Sequence, residues 1–211
     1  MASSAPKVRR GAELVSAAMK AYERAAGVDK VGSMTRIAVL RLDGHAFHTY
    51  TSGFKRPYDE RVHDAMVATA TDLLGEFNTA VTAYAESDEI SLVFPPSADD
   101  GRPSLPYGGR IQKLISLSAG LASARFNSHM ARQTFEPSEV HLAERVSRSA
   151  AHFDSRFFEL PSADELTDYF RWRALMDCRR NSISALGQAH YTPQELHRVS
   201  ALETLRRLRD E

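Results

Sequence analysis

Apolar positions along the chain switch between two periods, and the switches mark out its elements. Leu14, Ala18, Ala21, Tyr22 and Ala25 recur at three- and four-residue spacing and stop at Gly27, which predicts one amphipathic helix. Ile37, Val39, Leu40 and Leu42 predict a buried strand over Arg36 to Leu42. After the turn-rich "TSGFKRPYDE", Val62, Met66, Ala70, Leu73, Leu74 and Phe77 return to helical spacing, with Asp59 as N-cap. Two short strands follow, Ala80 to Ala85 and Ile90 to Phe94, joined tightly around Ser87, Asp88 and Glu89. Beyond a Pro/Gly-rich loop, Ile111, Leu114, Ile115, Ser118, Leu121, Ala122 and Phe126 share one face of a third helix. "EPSEVHLAERVSRSA" is partly helical and "AHFDSRFFELP" a strand. The tail predicts helices opening on Ser162 and Thr192, each followed by acidic residues as in a capping box.

The order strand, helix, hairpin, helix, strand is a βαββαβ pattern. It predicts an α+β fold, a ferredoxin-like antiparallel sheet with helices on one face and helical extensions at both ends. We divide the chain into a flexible N-terminus (1–10), a catalytic domain (11–160) and a C-terminal helical extension on the same domain (161–211). With 211 residues, 43% of them hydrophobic, one sizeable core is expected. Composition adds mainly exclusions. The 27 basic residues balance 27 acidic ones, so contact with nucleic acid must come from local patches. A single cysteine, Cys178, excludes an intramolecular disulfide framework and fits a reducing, cytoplasmic setting. No apolar run approaches the roughly 18 residues of a membrane span.

The candidate chemistry begins where the first strand ends on a charge, in "RLDGHAFH". Asp-Gly is a common turn opener, and that reading stays open. The alternative is that Asp43 converges with Asp88 and Glu89 of the hairpin tip. Carboxylates so close need a counter-charge, and an oxygen-only cluster with open positions suits Mg²⁺. Such a pair matches the polymerase-palm arrangement, in which two metals clamp the attacking and leaving oxygens of nucleotidyl transfer. Backbone N–H groups of Gly44, His45, Ala46, Phe47 and His48 are candidates for an anion-binding nest, and Arg110 with Lys113 for holding a triphosphate.

These segments, in this order, resemble the tRNA(His) guanylyltransferase family and its Thg1-like relatives, the 3′-to-5′ nucleotide-adding enzymes. "RLDGHAFHTYTSGFKRPYDER", "AYAESDEISLVF", "GGRIQKLISLSAGLASARF", "AHFDSRFFELP" and "DYFRWRALMDCRRNS" carry the likeness over roughly Tyr22 to Glu203. The resemblance implies two Mg²⁺ ions held by the Asp43 and Asp88 carboxylates and the Gly44 carbonyl, with Glu89 in support. Phe47, His48 and Ser87 would lie beside the nucleotide, and Arg110 and Lys113 at its triphosphate. It further implies ATP and GTP or another nucleoside triphosphate as substrates, tRNA as acceptor, and a homotetramer. Arg56-Pro57 stands where many members have Lys-Pro. Arg179, Arg180, Asn181 and Ser182 replace their His-Ile-Asn-Asn, which shifts the expectation from histidine-tRNA specificity to templated tRNA repair with Arg179, Arg180 and Asn181 on the RNA. A nucleotide cyclase and a catalytically idle RNA-binding module are the competing readings.

Overall fold

The computed structural model describes residues 5–98 and 104–210, with side chains from residue 14 onward. Helix α1 (Ala5–Ala25) leads, starting inside the stretch expected to be frayed, and its side chains from Leu14 stand in solvent. Strand β1 (Ile37–Gly44) is followed by a single helical turn, α2 (Phe47–Tyr50), which the sequence pattern is too short to announce. Helix α3 (Glu60–Glu76) is capped by Asp59, whose side chain accepts the Arg61 N–H as expected. The hairpin is β2 (Thr82–Glu86) and β3 (Glu89–Phe94), so its tip is Ser87-Asp88 alone and Glu89 belongs to a strand. Next come α4 (Ile111–Met130), α5 (Val140–Ser147) and β4 (Phe153–Leu160). The tail forms α6 (Ala163–Trp172), a π-helical segment (Arg173–Cys178), α7 (Arg179–His190) and α8 (Ala201–Asp210). Ser162 caps α6 as expected. The Thr192–Glu195 box closes only a turn, and Ser200 caps the last helix instead.

All strand pairs are antiparallel in the order β2-β3-β1-β4, which is the ferredoxin-like arrangement. Pleating divides β1 between two layers. Ala38, Leu40 and Leu42 enter the main core with Ile90, Leu92 and Phe94, under α3 and α4. The helices contribute Ala65, Met66, Leu73, Leu114, Ala122 and Phe126 to that layer, at the spacing their sequences predict. The opposite face is half covered. Val39 and Val93 are buried beneath Tyr169 of α6, whose hydroxyl meets Ser91 at 2.7 Å. Toward the other end of the strands the residues of this face become charged, and it is more open over β1 and β4 than over β2 and β3. No helix among the described residues is long and apolar enough to cross a membrane.

Candidate active site

Strand β1 does not stop at Leu42, because the ladder on both sides carries it two residues further. Asp43 pairs with Glu89 of β3 on one side and Asp154 of β4 on the other, and Glu89 pairs with Glu86 of β2. Four acidic side chains therefore form one row across the open face. The next row along the strands holds Tyr84, Ser91, Arg41 and Arg156 in register. An acidic band thus borders a basic one, and the apolar band under α6 follows.

Like charges directly opposite in a sheet repel, so the row persists only with partners. Arg156 reaches Asp43 at 3.6 Å and Asp154 at 3.4 Å. Arg173 of the π-helical segment is 5% exposed and grips Glu89, while its other nitrogen holds Asp177 at 2.6 Å. Asp177 in turn meets Arg180 at 3.3 Å. Glu86 is buried, and one of its oxygens has no hydrogen-bond partner. Burial pushes the carboxyl groups of Glu86, Glu89 and Asp88 above the usual range, and Asp43 adds to the rise for Glu89 and Asp88.

Asp88 joins this row from the hairpin tip. The backbone N–H of Gly44 donates to the Asp88 carbonyl at 2.9 Å, which ties the end of β1 to the tip. Ser87 adopts a left-handed φ of 52°, and its hydroxyl bonds the Asp88 carboxylate. Non-glycine residues held at positive φ cluster at functional sites. Ala46 is a second case at φ 51°, where the chain turns into α2. Gly44 itself is required by contact: a Cβ there would lie 2.3 Å from Cδ2 of Phe47. No larger residue fits between the site and the core.

The structure sorts the sequence-predicted residues. Asp43, Gly44, Ser87, Asp88 and Glu89 come together, and His48 lies near Asp88. Of the expected nest, the N–H of Gly44 is taken by Asp88 and that of His45 by His152. The N–H groups of Ala46, Phe47 and His48 have no backbone partner among the described residues. The His45 ring stacks on His152 at 4.8 Å. The Phe47 ring is 4% exposed and packs against Tyr50, Phe126 and Phe153, which leaves its backbone N–H as the candidate contact. Arg56 is exposed and bonded to Gln188 of α7, which joins the C-terminal helices to the loop between α2 and α3. Arg179, Arg180 and Asn181 open α7 and are exposed.

Arg110 and Lys113 stand apart from this group. Strand β3 leaves the hairpin tip and ends beside Ala38, so α4 must start at the far end of the sheet. There Arg110 bridges Val31 and the Ile111 N–H bonds the Lys30 carbonyl. Only the later part of α4, where Asn127 holds Ala151, is level with Gly44 and Phe153. Ile111 to Asn127 spans about 24 Å of helix at 1.5 Å per residue. Within one chain the two side chains do not share a site with Asp43.

Sequence reasoning missed Arg156, Asp154 and Arg173. The first two had a visible signal, since Asp154 and Arg156 alternate with apolar neighbours in a predicted strand. Arg173 had none, because its partner Glu89 is 84 residues away.

The donor set suits a hard divalent cation. It consists of oxygen atoms from Asp43, Asp88 and the Gly44 backbone, and mutual repulsion between the carboxylates would be relieved by positive charge. Among the described residues no group of three or more His, Cys, Asp or Glu side chains is arranged to hold a metal ion. Mg²⁺ keeps several waters and takes one or two carboxylates together with substrate phosphates, so an open pair fits it.

Comparison with known proteins agrees with this architecture. A family model described as tRNAHis guanylyltransferase matches residues 16–161. The chain is 32% identical over 167 residues to the tRNA(His) guanylyltransferase of Schizosaccharomyces pombe, covering 78% of this chain and 56% of that protein. It spans about half the length of the curated relatives it matches. Among solved structures, a bacterial tRNA(His) guanylyltransferase-like protein in complex with ATP superposes with a TM-score of 0.78 at 30% identity, over 92% of this chain and 76% of that one. Such a bacterial protein in complex with GTP gives 0.71 at 32% identity, over 84% and 77%.

Proposed function

Since the chain belongs to the tRNA(His) guanylyltransferase family, we propose that it is a nucleotidyltransferase adding nucleotides, GTP first among them, to the 5′ end of tRNA. The observation that carries this reading is the junction of Asp43 with Asp88 through the Gly44–Asp88 backbone bond on an open sheet face. Asp43, Asp88 and the Gly44 carbonyl would hold Mg²⁺, which supplies Lewis-acid stabilisation of charge on bound phosphates. His48 and the free N–H groups of Ala46 and Phe47 line the phosphate side. Ser87 fixes the Asp88 carboxylate, and Arg173 holds Glu89 so that it supports the pair.

In this reading a 5′-monophosphate oxygen of the tRNA attacks the α-phosphorus of ATP and releases pyrophosphate. The 3′-hydroxyl of the incoming nucleotide then attacks the activated 5′ phosphorus and expels AMP. Arg179, Arg180 and Asn181 contact the tRNA backbone, where guanidinium groups position RNA without reading its sequence. That favours templated repair of 5′-truncated tRNAs, in the cytoplasm. A homotetramer is the assembly we propose, and it is also the route by which Arg110 and Lys113 of one chain could meet a nucleotide held by another.

The test is labelled GTP incubated with ATP, Mg²⁺ and 5′-truncated tRNA transcripts that differ only in the base opposite the missing nucleotide. Lengthened tRNA whose added base follows the opposing base is expected. G added regardless of that base, and only to histidine tRNA, would overturn the repair assignment. A cyclic product from GTP alone would overturn tRNA extension.

A further inference from the structure

Arg156 is placed as if to serve two anions at different times. It projects from β4 beside Asp43, is about half exposed, and is shared between Asp43 at 3.6 Å and Asp154 at 3.4 Å. Both distances are long for charge-assisted hydrogen bonds, so the guanidinium is attracted to the carboxylates without being locked to either. Directly opposite in the ladder stands Arg41, whose buried Nε has no hydrogen-bond partner. Two guanidinium groups side by side on one sheet face repel each other unless an anion lies across them. The Arg156 side chain therefore has an acidic neighbour on one side and a basic neighbour on the other.

We propose that Arg156 is a phosphate-binding residue of this site, standing in as the counter-ion of Asp43 until a divalent cation takes that carboxylate and frees the guanidinium for a phosphate group. The proposal rests on the reading of Asp43 and Asp88 as metal ligands. Asp154 keeps the released side chain at the edge of the site, and Arg41 supplies the second positive wall. The ligand is a phosphate ester, either the phosphates of a nucleoside triphosphate or the 5′-phosphate of the RNA.

The proposal makes metal and phosphate affinities move in opposite directions, which a merely structural arginine would not do. In Arg156→Gln, Mn²⁺ followed by electron paramagnetic resonance without nucleotide should bind about two- to fivefold more tightly, because a weak, half-exposed ion pair no longer competes for Asp43. At saturating metal, either GTP or 5′-monophosphorylated tRNA, measured against its 5′-hydroxyl twin, should bind roughly tenfold or more weakly, the scale of one lost hydrogen bond to a charged group. The arm that weakens identifies the source of the phosphate. Arg156→Lys should recover part of that affinity. Unchanged metal and phosphate binding, or a parallel loss of both, would overturn the proposal. Failure of the wild-type chain to bind Mn²⁺ would instead overturn the metal reading, and the proposal with it.

Discussion

Replacing Gly44 by alanine should damage both the fold and the site through one contact. The added Cβ would sit 2.3, 2.6 and 2.7 Å from Cδ2, Cε2 and Cγ of Phe47, where carbon atoms at rest keep about 3.5–4.0 Å. The ring must retreat by about 1 Å, yet Phe126 and Phe153 stand behind it with centroids at 5.1 and 5.0 Å. Overpacking of this kind costs about 1–3 kcal/mol. If β1 shifts instead, the Gly44–Asp88 hydrogen bond is strained as well, worth about 1 kcal/mol. We expect a total loss of about 2–4 kcal/mol, or roughly 4–16 °C in Tm for a chain of this length. Displacing Asp43 from Asp88 by as much as 1 Å should lower nucleotide addition about 100-fold. Urea unfolding followed by circular dichroism measures the first effect, and a double-mutant cycle tests its cause. Combining Gly44→Ala with Phe47→Leu should be at least 1 kcal/mol less damaging than the sum of the single changes, since the smaller side chain vacates the space. Strict additivity, or a Gly44→Ala variant within 0.5 kcal/mol of wild type, would refute the reasoning.

Asp43→Ala and Asp88→Ala should each abolish addition with the fold intact, as judged by circular dichroism, and turnover at saturating Mg²⁺ would exclude the two-carboxylate site. Asp88→Asn should be at least as stable as wild type near pH 7. A carboxyl whose pKa is raised by burial favours the fold below its unfolded pKa and loses that contribution as pH rises through the folded value. Arg61→Ala should destabilise the chain most near neutrality. The Arg61 guanidinium holds Glu139 down to about 2 and Asp59 below its usual range, so their contribution is present above the unfolded pKa of about 4 and vanishes as pH falls toward 2. Thermal unfolding of both proteins across pH 2–7 should show the gap closing toward the acid end, and a gap independent of pH would exclude this account. The Arg110→Ala/Lys113→Ala pair should leave GTP binding unchanged in dilute, monomeric protein. A loss seen only at concentrations where the chain self-associates would place them in a neighbour's site, and a loss in the monomer would contradict the placement of α4.

The elements were legible because each buries one regular face. Leu114, Ser118, Ala122 and Phe126 mark α4 by spacing alone, and Asp59 announces the cap of α3. Asp43 and Asp88 were legible as charges placed where a strand and a tight turn leave the core. The spacing of Arg110 and Lys113 places them on one helix face but leaves open at which end of the sheet that helix starts. The answer is implicit in the element order, since a strand leaving the hairpin tip delivers the chain to the opposite end. The packing of the Phe47 ring is hidden for a different reason: a four-residue turn has no period, so nothing local separates a ring that packs from one that faces solvent. The partners of the acidic row are long-range, and only the assembled ladder shows that Glu86, Glu89, Asp43 and Asp154 fall in line.

The π-helical segment has a spectroscopic consequence. Trp172 is the only tryptophan in the chain, and the Arg173 guanidinium lies 5.1 Å from its ring centroid. Indole emission is sensitive to a neighbouring cation, so the natural fluorescence of this protein reports from one place, the residue next to the arginine that grips Glu89. Whatever displaces Arg173, whether a metal ion drawing on the acidic row or an RNA end pulling on α7, should change that emission without any label being attached.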